Sequence, residues 1–388
     1  MLKFSEASQT FAPVRIRPVQ TARERRRFIA FPYTLYRSSP EWVAPLRRDQ
    51  SELLFSKHNP FFLHSHIEAF IAEDATGRVL GRIAAIVNGM HLRRHNDGVG
   101  FFGFFESVER YDVAAALFDA ACCYLKEQGL RAMRGPTNPS INESSGLLVN
   151  GFDRRPSLLM PYNPAYYESF LLRYGFARVM RMWAYYGAWK HLNTERLRRG
   201  ADIVRRRMPG LVIRNPDLSR FKDEVLTMHG IYNRAFDDGW GNVPMSEAEF
   251  LYMAKAMRPV LDPRIIFFLE REGHTIGFSL SLPNINTALS HLRDGRLFPF
   301  GFLRLLGHLR FGASAEFRTI VLALLPEYQR RGLDTLLILD TIEKAREHGY
   351  LGSELSWVMD DNVVLKNALG HLGAVVDKEY AMFEKRIA

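Results

Sequence analysis

Hydrophobic and polar positions alternate with two different periods along this chain, and the periods come in nearly the same order twice. Strand-like alternation is predicted over Arg15–Pro18, Ile67–Glu73 and Val79–Val87, the last two forming a hairpin that turns at Thr76 and Gly77. Spacings of three and four predict helices over Ala22–Tyr36 and Asp112–Gln128, the second with Asp112 as its N-cap and Gly129 as its stop. Between them "GVGFFGFFES" is apolar almost throughout, as a strand covered on both faces must be, and "RAMRG" follows the second helix as another strand.

A charged helical stretch from Ala188 to Arg214 reads as a connector, after which the order recurs. A helix over Leu218–Ala235 precedes the paired strands "RIIFFLE" and "HTIGFSLSL", and the strand "FRTIVLAL" precedes a helix over Asp334–His348. The strand "GSELSWVM", a helix over Asn362–Leu372 and the strand "EYAMFEKR" complete the unit. Two units with one element order imply an internal duplication, with expected domains at 14–187 and 215–388 joined by the connector 188–214. An insertion at about 285–313 interrupts the second unit with alternating leucine, phenylalanine and arginine. Two readings stand for it: an exposed connector packed on its own domain, or a lid or membrane-surface element. In the second, arginines meet lipid headgroups while Phe298, Phe300, Phe302, Leu305 and Leu306 enter the apolar layer.

Length agrees with two domains, since 388 residues exceed one ordinary core. With 47% apolar and 24% charged residues and no strongly biased segment, the chain is expected to be globular throughout. Lys and Arg number 52 against 42 Asp and Glu, an excess of 52 − 42 = 10 that suits nucleic acid, an anionic membrane or a phosphorylated cofactor. Short arginine clusters, without zinc-finger spacing or aromatic RNA-binding signatures, argue against nucleic acid. Cys122 and Cys123 are adjacent and the only cysteines, so they form neither a loop-closing disulfide framework nor a four-ligand metal site, and they read as small core residues. No apolar signal core and no uncharged run of roughly 18 residues is found. The expected location is the cytoplasm, with the inner face of the membrane as a surface the protein can lie against.

The chemistry concentrates in "LLPEYQRRGLDTLL", residues 324 to 337. A strand ending at Leu325 and a helix starting near Asp334 leave the backbone N–H groups of Arg330 to Leu333 without helical partners. Arg330, Arg331 and the helix dipole add positive charge, and Gly332 removes a side chain that would block close approach. That is either a cradle for a diphosphate or a capped helix after a basic turn. Residues 319 to 337 resemble the acyl-CoA motif of the GCN5-related N-acetyltransferase (GNAT) superfamily, with Gln329, Gly332 and Asp334 in its three diagnostic places. The resemblance implies cofactor contacts from Leu324, Gln329, Arg330, Arg331, Gly332, Leu333 and Asp334, and from Asn362 after the next strand. Asp334 departs from the motif's small residue unless it serves as the N-cap, and Leu369 stands where the superfamily commonly has a tyrosine that protonates the departing thiolate.

The first unit lacks a glycine-rich loop. Through "FFGFFE", "GPTNPSINESSG", "YNPAYY", "ELSWVMDDN" and "LGAVVDKEYAMFEK" nearly the whole chain resembles a bacterial group of double acetyltransferase-like proteins, some of which look like ceramide synthases. The resemblance implies an α/β fold of two tandem acyl-CoA N-acyltransferase (GNAT-like) domains, each a mixed, mainly antiparallel sheet flanked by helices, the first with a degenerate cofactor site. It implies no permanently bound cofactor, with acyl-CoA as cosubstrate or acyl carrier protein in its place.

Acyl transfer to an amine needs a neutral amine, a base and donors for the oxyanion. Glu143, Tyr162 and Asp360 are the catalytic candidates, and Asn138, Asn142 and Tyr166 the substrate-binding ones. Each has a plain structural alternative: Glu143 and the asparagines can organise turns, the tyrosines can pack, and Asp360 can sit in a solvated loop. His64 and His66 lack a third ligand at a persuasive spacing, so no metal is expected. The expected activity joins a long-chain acyl group to a lipophilic amine such as a sphingoid base. The alternatives are acetylation of a small polar amine, or a decayed pseudo-enzyme that binds acyl-CoA.

Overall fold

In the computed structural model, which describes residues 13–296 and 315–387, the first half carries β1 (Arg15–Pro18), β2 (Ser65–Glu73), β3 (Val79–Asn88), β4 (Val99–Ser107) and β5 (Ala132–Gly135). A short ribbon of β6 (Thr137–Asn138) and β7 (Ser144–Ser145) follows, then β8 (Leu147–Asn150) and β9 (Ala177–Ala188). The second half carries β10 (Leu211–Arg214), β11 (Phe267–Arg271), β12 (His274–Pro283), β13 (Glu316–Leu324), β14 (Gly352–Met359) and β15 (Val375–Arg386).

Local rules account for most of these elements. The helix Ala22–Leu35 starts on a capping box in which Thr21 and Glu24 satisfy each other's backbone N–H groups. The helix Tyr111–Glu127 departs from expectation at its start. Arg110 stands at the N-cap, where its side chain does not cap the helix's backbone N–H groups, and Asp112 lies in the first turn, paired with Arg110. A carboxylate there still complements the helix dipole. Cys122 is buried in the core as expected, whereas Cys123 is exposed. Helices at Arg47–Phe55, Gly89–His95, Tyr166–Tyr174 and Glu247–Met257 were not legible as periodic runs.

Thirteen of the described strands form one sheet, in the order β1-β2-β3-β4-β5-β15-β9-β14-β13-β12-β11-β10, with β8 beside β15. The two halves exchange their last strands. β15, from the second half, pairs with β5 through Phe383↔Gly135 to Arg386↔Ala132, while β9, from the first half, pairs with β14 through Gly352↔Ala188 to Met359↔Met182. β9 and β15 also pair with each other, so each half's sheet is finished by the other's chain and the sheet runs unbroken across the expected boundary. The 188–214 stretch is more than a connector. Its helix Glu195–Arg207 buries Ala201 and Val204 against Leu333 and Leu336, and β10 pairs with β11 as the sheet's edge.

The near-continuous apolar run in β4 has its reason here. Phe102 and Phe105 pack under the helix Tyr111–Glu127, while Phe101 and Phe104 pack on the opposite face with Phe28 and Phe61. In the second half the sheet is covered on one face by the helices Leu333–Glu347 and Val363–Leu372. The opposite face, called the seam face below, meets the loop after β8 of the first half, where Leu158 packs with Leu282 and Leu289.

Candidate active site

The loop between β13 and the helix Leu333–Glu347 is built around two residues in the left-handed region, Arg330 (φ 59°) and Gly332 (φ 78°). Gln329 ties its base, donating from Nε2 to the carbonyls of Leu324 (2.9 Å) and Ala235 (3.2 Å). Gly332 rather than Asp334 is the N-cap, and Asp334 sits in the first turn. Leu333 is fully buried and anchors the helix to the core. Tyr328 and Gln329 donate their backbone N–H groups within the turn, and Thr335 donates to the Gly332 carbonyl. Among the described residues, the N–H groups of Arg330, Arg331, Gly332, Leu333 and Asp334 find no acceptor. The guanidiniums of Arg330 and Arg331 are exposed and make no ion pair there. Five bare amides, a helix N-terminus and two cations form a concavity with the chemistry to accept an anion.

Beside this loop the parallel strands β13 and β14 pair only from Glu316↔Gly352 to Thr319↔Leu355. Beyond that point β13 follows β12 as far as Gly277↔Leu324 and β14 follows β9, which leaves a fork between them. The first half has the matching pair, with β4 and β5 parallel from Val99↔Ala132 to Phe101↔Arg134. There the gap is filled. A Cβ on Gly103 would lie 1.7 Å from the Thr137 carbonyl oxygen, and the Phe104 N–H donates to Asn138 Oδ1 at 2.6 Å. The Asn138 side chain is therefore part of the first half's structure.

At the vertex of the second fork, on the seam face, lies Arg318, 1% exposed. It donates from Nε to Ser356 Oγ (2.8 Å), from Nη2 to the Ser356 carbonyl (3.0 Å) and from Nη1 to the Leu158 carbonyl (2.8 Å). Ser356 in turn donates to Glu354 Oε1 at 2.7 Å. Burial lowers the Arg318 pKa to about 10, against the Glu354 carboxylate, which favours the charged form. Along the open limb of the fork the seam face carries Met160, Tyr162, Trp240, Trp357 and Met359, a sulfur- and aromatic-rich surface that can repack around a chain.

A search with family models found no match. The chain is 33% identical over 387 residues to the bacterial ceramide synthase of Caulobacter vibrioides, covering 97% of this chain and 99% of that one. It is 32% identical over 377 residues to protein YghO of Escherichia coli, covering 96% and 95%. The chain belongs to the family of the bacterial ceramide synthase. A tandem GNAT protein from the clavulanic acid biosynthesis pathway superposes with a TM-score of 0.56 at 11% identity, covering 97% of this chain and 99% of its own, so the expected tandem α/β fold is present. This family member is an acyltransferase.

Within this acyltransferase the structure distributes the expected site residues unevenly. Leu324, Gln329, Arg330, Arg331, Gly332, Leu333 and Asp334 lie together at the loop between β13 and the next helix. Asn362 stands apart at the start of the next helix, where its Oδ1 accepts from the Leu365 N–H at 3.1 Å as an N-cap. Leu369 is buried against Tyr185 and Val358. Glu143 sits on the loop between β6 and β7, with Oε2 buried and unpartnered, and burial together with the Glu249 charge pushes its pKa up to about 8. Its neighbour Asn142 fastens that loop across the halves, donating to the Val243 carbonyl (2.8 Å) and accepting from Tyr232 (2.9 Å).

Tyr162 donates weakly to the Phe152 carbonyl (3.3 Å) on the seam face. Tyr166 departs from its expected role, since its hydroxyl donates to the Ser107 carbonyl (2.7 Å) and its ring packs in the first half's core. Asp360 accepts from Trp183 Nε1 (2.9 Å) and Lys366 Nζ (2.8 Å), and Lys366 holds its pKa below the usual carboxylate range, which makes it a weak base. His64 lies beside Ser65 and within 3.1 Å of Glu249. Among the described residues no group of three or more His, Cys, Asp or Glu side chains is disposed to hold a metal ion, and no helix is long and apolar enough to cross a membrane. Phe298, Phe300, Phe302, Leu305 and Leu306 lie outside the described residues.

Arg318, Glu354 and Ser356 escaped the sequence reading. The signal was a single charge in each of two strands otherwise free of charge, "FRTIVLAL" and "GSELSWVM".

Proposed function

We propose that this acyltransferase takes a long-chain acyl group from acyl-CoA and delivers it to the amine of a lipophilic acceptor such as a sphingoid base. The observation that carries the reading is the pairing of five bare amides at Arg330 to Asp334 with strands that part beyond Thr319, found among the described residues in the second half alone. The diphosphate of CoA rests on the loop, and the pantetheine arm runs down the fork toward Thr319 and Leu355. The Met160–Trp357 surface and the Caulobacter relative's name support a lipophilic acceptor.

In the reaction the neutral amine attacks the thioester carbonyl carbon, the C–N bond forms and the C–S bond breaks. Glu143, or a water it holds, takes the amine proton, because a carboxylate with a pKa near 8 is matched to that task at neutral pH. The thiolate leaves and is protonated. With Leu369 in the tyrosine's place, the proton comes from solvent or from another hydroxyl at the fork. The insertion at about 285–313 serves as the contact with a membrane surface from which both lipids are drawn.

Incubating the purified chain with palmitoyl-CoA or palmitoyl acyl carrier protein and sphinganine, then detecting the amide by mass spectrometry, tests the reading. Absence of amide while acyl-CoA binds would overturn it. Faster thiol release with acetyl-CoA and a small polar amine would replace it with the acetyltransferase alternative.

A further inference from the structure

Below the fork vertex, on the seam face, a polar cavity of about 340 Å³ lies between the halves. The first half supplies Arg154, Arg155 and Ser157 from the loop after β8 and Tyr186 from β9, and the second half supplies the carboxylates Glu316, Glu354 and Asp377 with Lys378. The walls are built: Lys378 is 2% exposed and Glu354 3%. Arg154 and Lys378 both close on Asp377. Glu354 Oε2 accepts from Ser157 Oγ at 2.8 Å and lies 4.0 Å from Lys378 Nζ, and the Tyr186 hydroxyl donates to Glu316 Oε1 at 2.5 Å. After these pairings Glu316 Oε2 has no partner among the described residues, and the Arg155 guanidinium has only the distant Pro40 carbonyl. An acceptor and a fork of donors are left facing a ligand.

Three carboxylates against three cations make the lining electrically balanced. A phosphate would need a surplus of positive charge, and a purely acidic pocket would hold an amine as its unreactive ammonium. A balanced lining favours neither form and suits a neutral head rich in donors and acceptors. The cavity also borders the fork, because Glu354 reaches the vertex through Ser356.

We infer that this cavity receives the polar head of the acceptor, an amine flanked by hydroxyl groups, while its hydrocarbon tail lies along the Met160–Trp357 surface. The assignment rests on the acyl-transfer reading for its identification of an amine. It gives the first half a task, since four of the ten residues lining the cavity come from the unit without a cofactor loop.

Calorimetric titration of the full chain with an eight-carbon 2-amino-1,3-diol, and with octylamine, tests it. The aminodiol is expected to bind at least tenfold more tightly than octylamine. Glu316→Gln and Arg155→Ala are each expected to weaken aminodiol binding at least tenfold while leaving palmitoyl-CoA affinity within twofold. Arg155 is exposed at the rim, so its variant keeps the test alive if Glu316→Gln misfolds. Equal affinities for the two amines, or unweakened binding in the folded variants, would overturn the assignment. Should the aminodiol bind as expected but no amide form, the transfer reading fails and the cavity stands. Should amide form with an unchanged acceptor KM in both variants, the reverse holds.

Discussion

Asn138 closes on the backbone of Phe104: its Oδ1 accepts from that N–H at 2.6 Å where β4 and β5 part. Among the described residues, no side chain is seen to bond to the backbone in this way between β13 and β14 beyond Thr319↔Leu355. One acyl-CoA is therefore expected to bind per chain, and calorimetry giving a stoichiometry near two would contradict this. Asn138→Ala is expected to cost about 1–3 kcal/mol in denaturant unfolding, because it strands a buried donor.

Gly332 holds a left-handed backbone at the cradle, and a Cβ there would lie 3.2 Å from Val204 Cγ2. Gly332→Glu adds backbone strain of about 1–2 kcal/mol and a negative charge where a diphosphate would rest. Palmitoyl-CoA affinity is expected to fall at least tenfold, with a lower Tm. An unchanged Kd in the folded variant would remove the loop from the cofactor site.

The Glu143 pKa, raised from an ordinary 4.5 to about 8, makes stability depend on pH. Below pH 4.5 both folded and unfolded states hold the proton. Between 4.5 and 8 the unfolded carboxyl ionises while the folded one stays protonated, so the contribution present in acid is lost as pH rises toward 8, at up to about 1.4 kcal/mol per pH unit. Glu143→Gln is expected to flatten that slope, so its Tm gains on the wild type's between pH 5 and 8. The same substitution is expected to lower kcat at least tenfold while leaving acyl-CoA affinity unchanged. Parallel Tm profiles would place the Glu143 pKa near the ordinary range.

Arg318 and Glu354 are buried at opposite positions of β13 and β14, bridged by Ser356 Oγ. Arg318→Met leaves a buried carboxylate with less compensation, and a loss of about 3–5 kcal/mol is expected in urea unfolding. Adding Glu354→Gln is expected to recover part of it. A double variant as unstable as the sum of the singles would mean the two residues act independently.

Periodicity located most of the strands and long helices of both halves, because each presents an apolar face to a core and that face repeats every 2 or 3.6 residues, but it missed β9, the twelve-residue strand at the centre of the sheet. The short helix Gly89–His95 escaped because seven residues barely complete two turns, and the start of Tyr111–Glu127 was misplaced because a basic residue occupies its N-cap. The glycine turn and its unpaired amides were legible because their ingredients are contiguous from Gln329 to Asp334. The roles expected for Asn138 and Tyr166 were not decided by their chemistry, since a hydroxyl or amide reads alike whether it meets a substrate or a backbone.

The sequence by itself determined most of the elements, their recurring order and the glycine turn between β13 and the following helix, all carried by near neighbours in the chain. Only the tertiary structure decided that β9 and β15 change places, that Asn138 closes the first fork while β13 and β14 part beyond Thr319, and that a cavity forms between the halves. Those outcomes rest on backbone hydrogen bonds and part-buried or buried polar pairs joining residues far apart in the chain, such as Arg134 with Glu384 and Ser157 with Glu354. A backbone hydrogen bond is the same for nearly every side chain, so the pairing of distant strands leaves no local mark in the sequence.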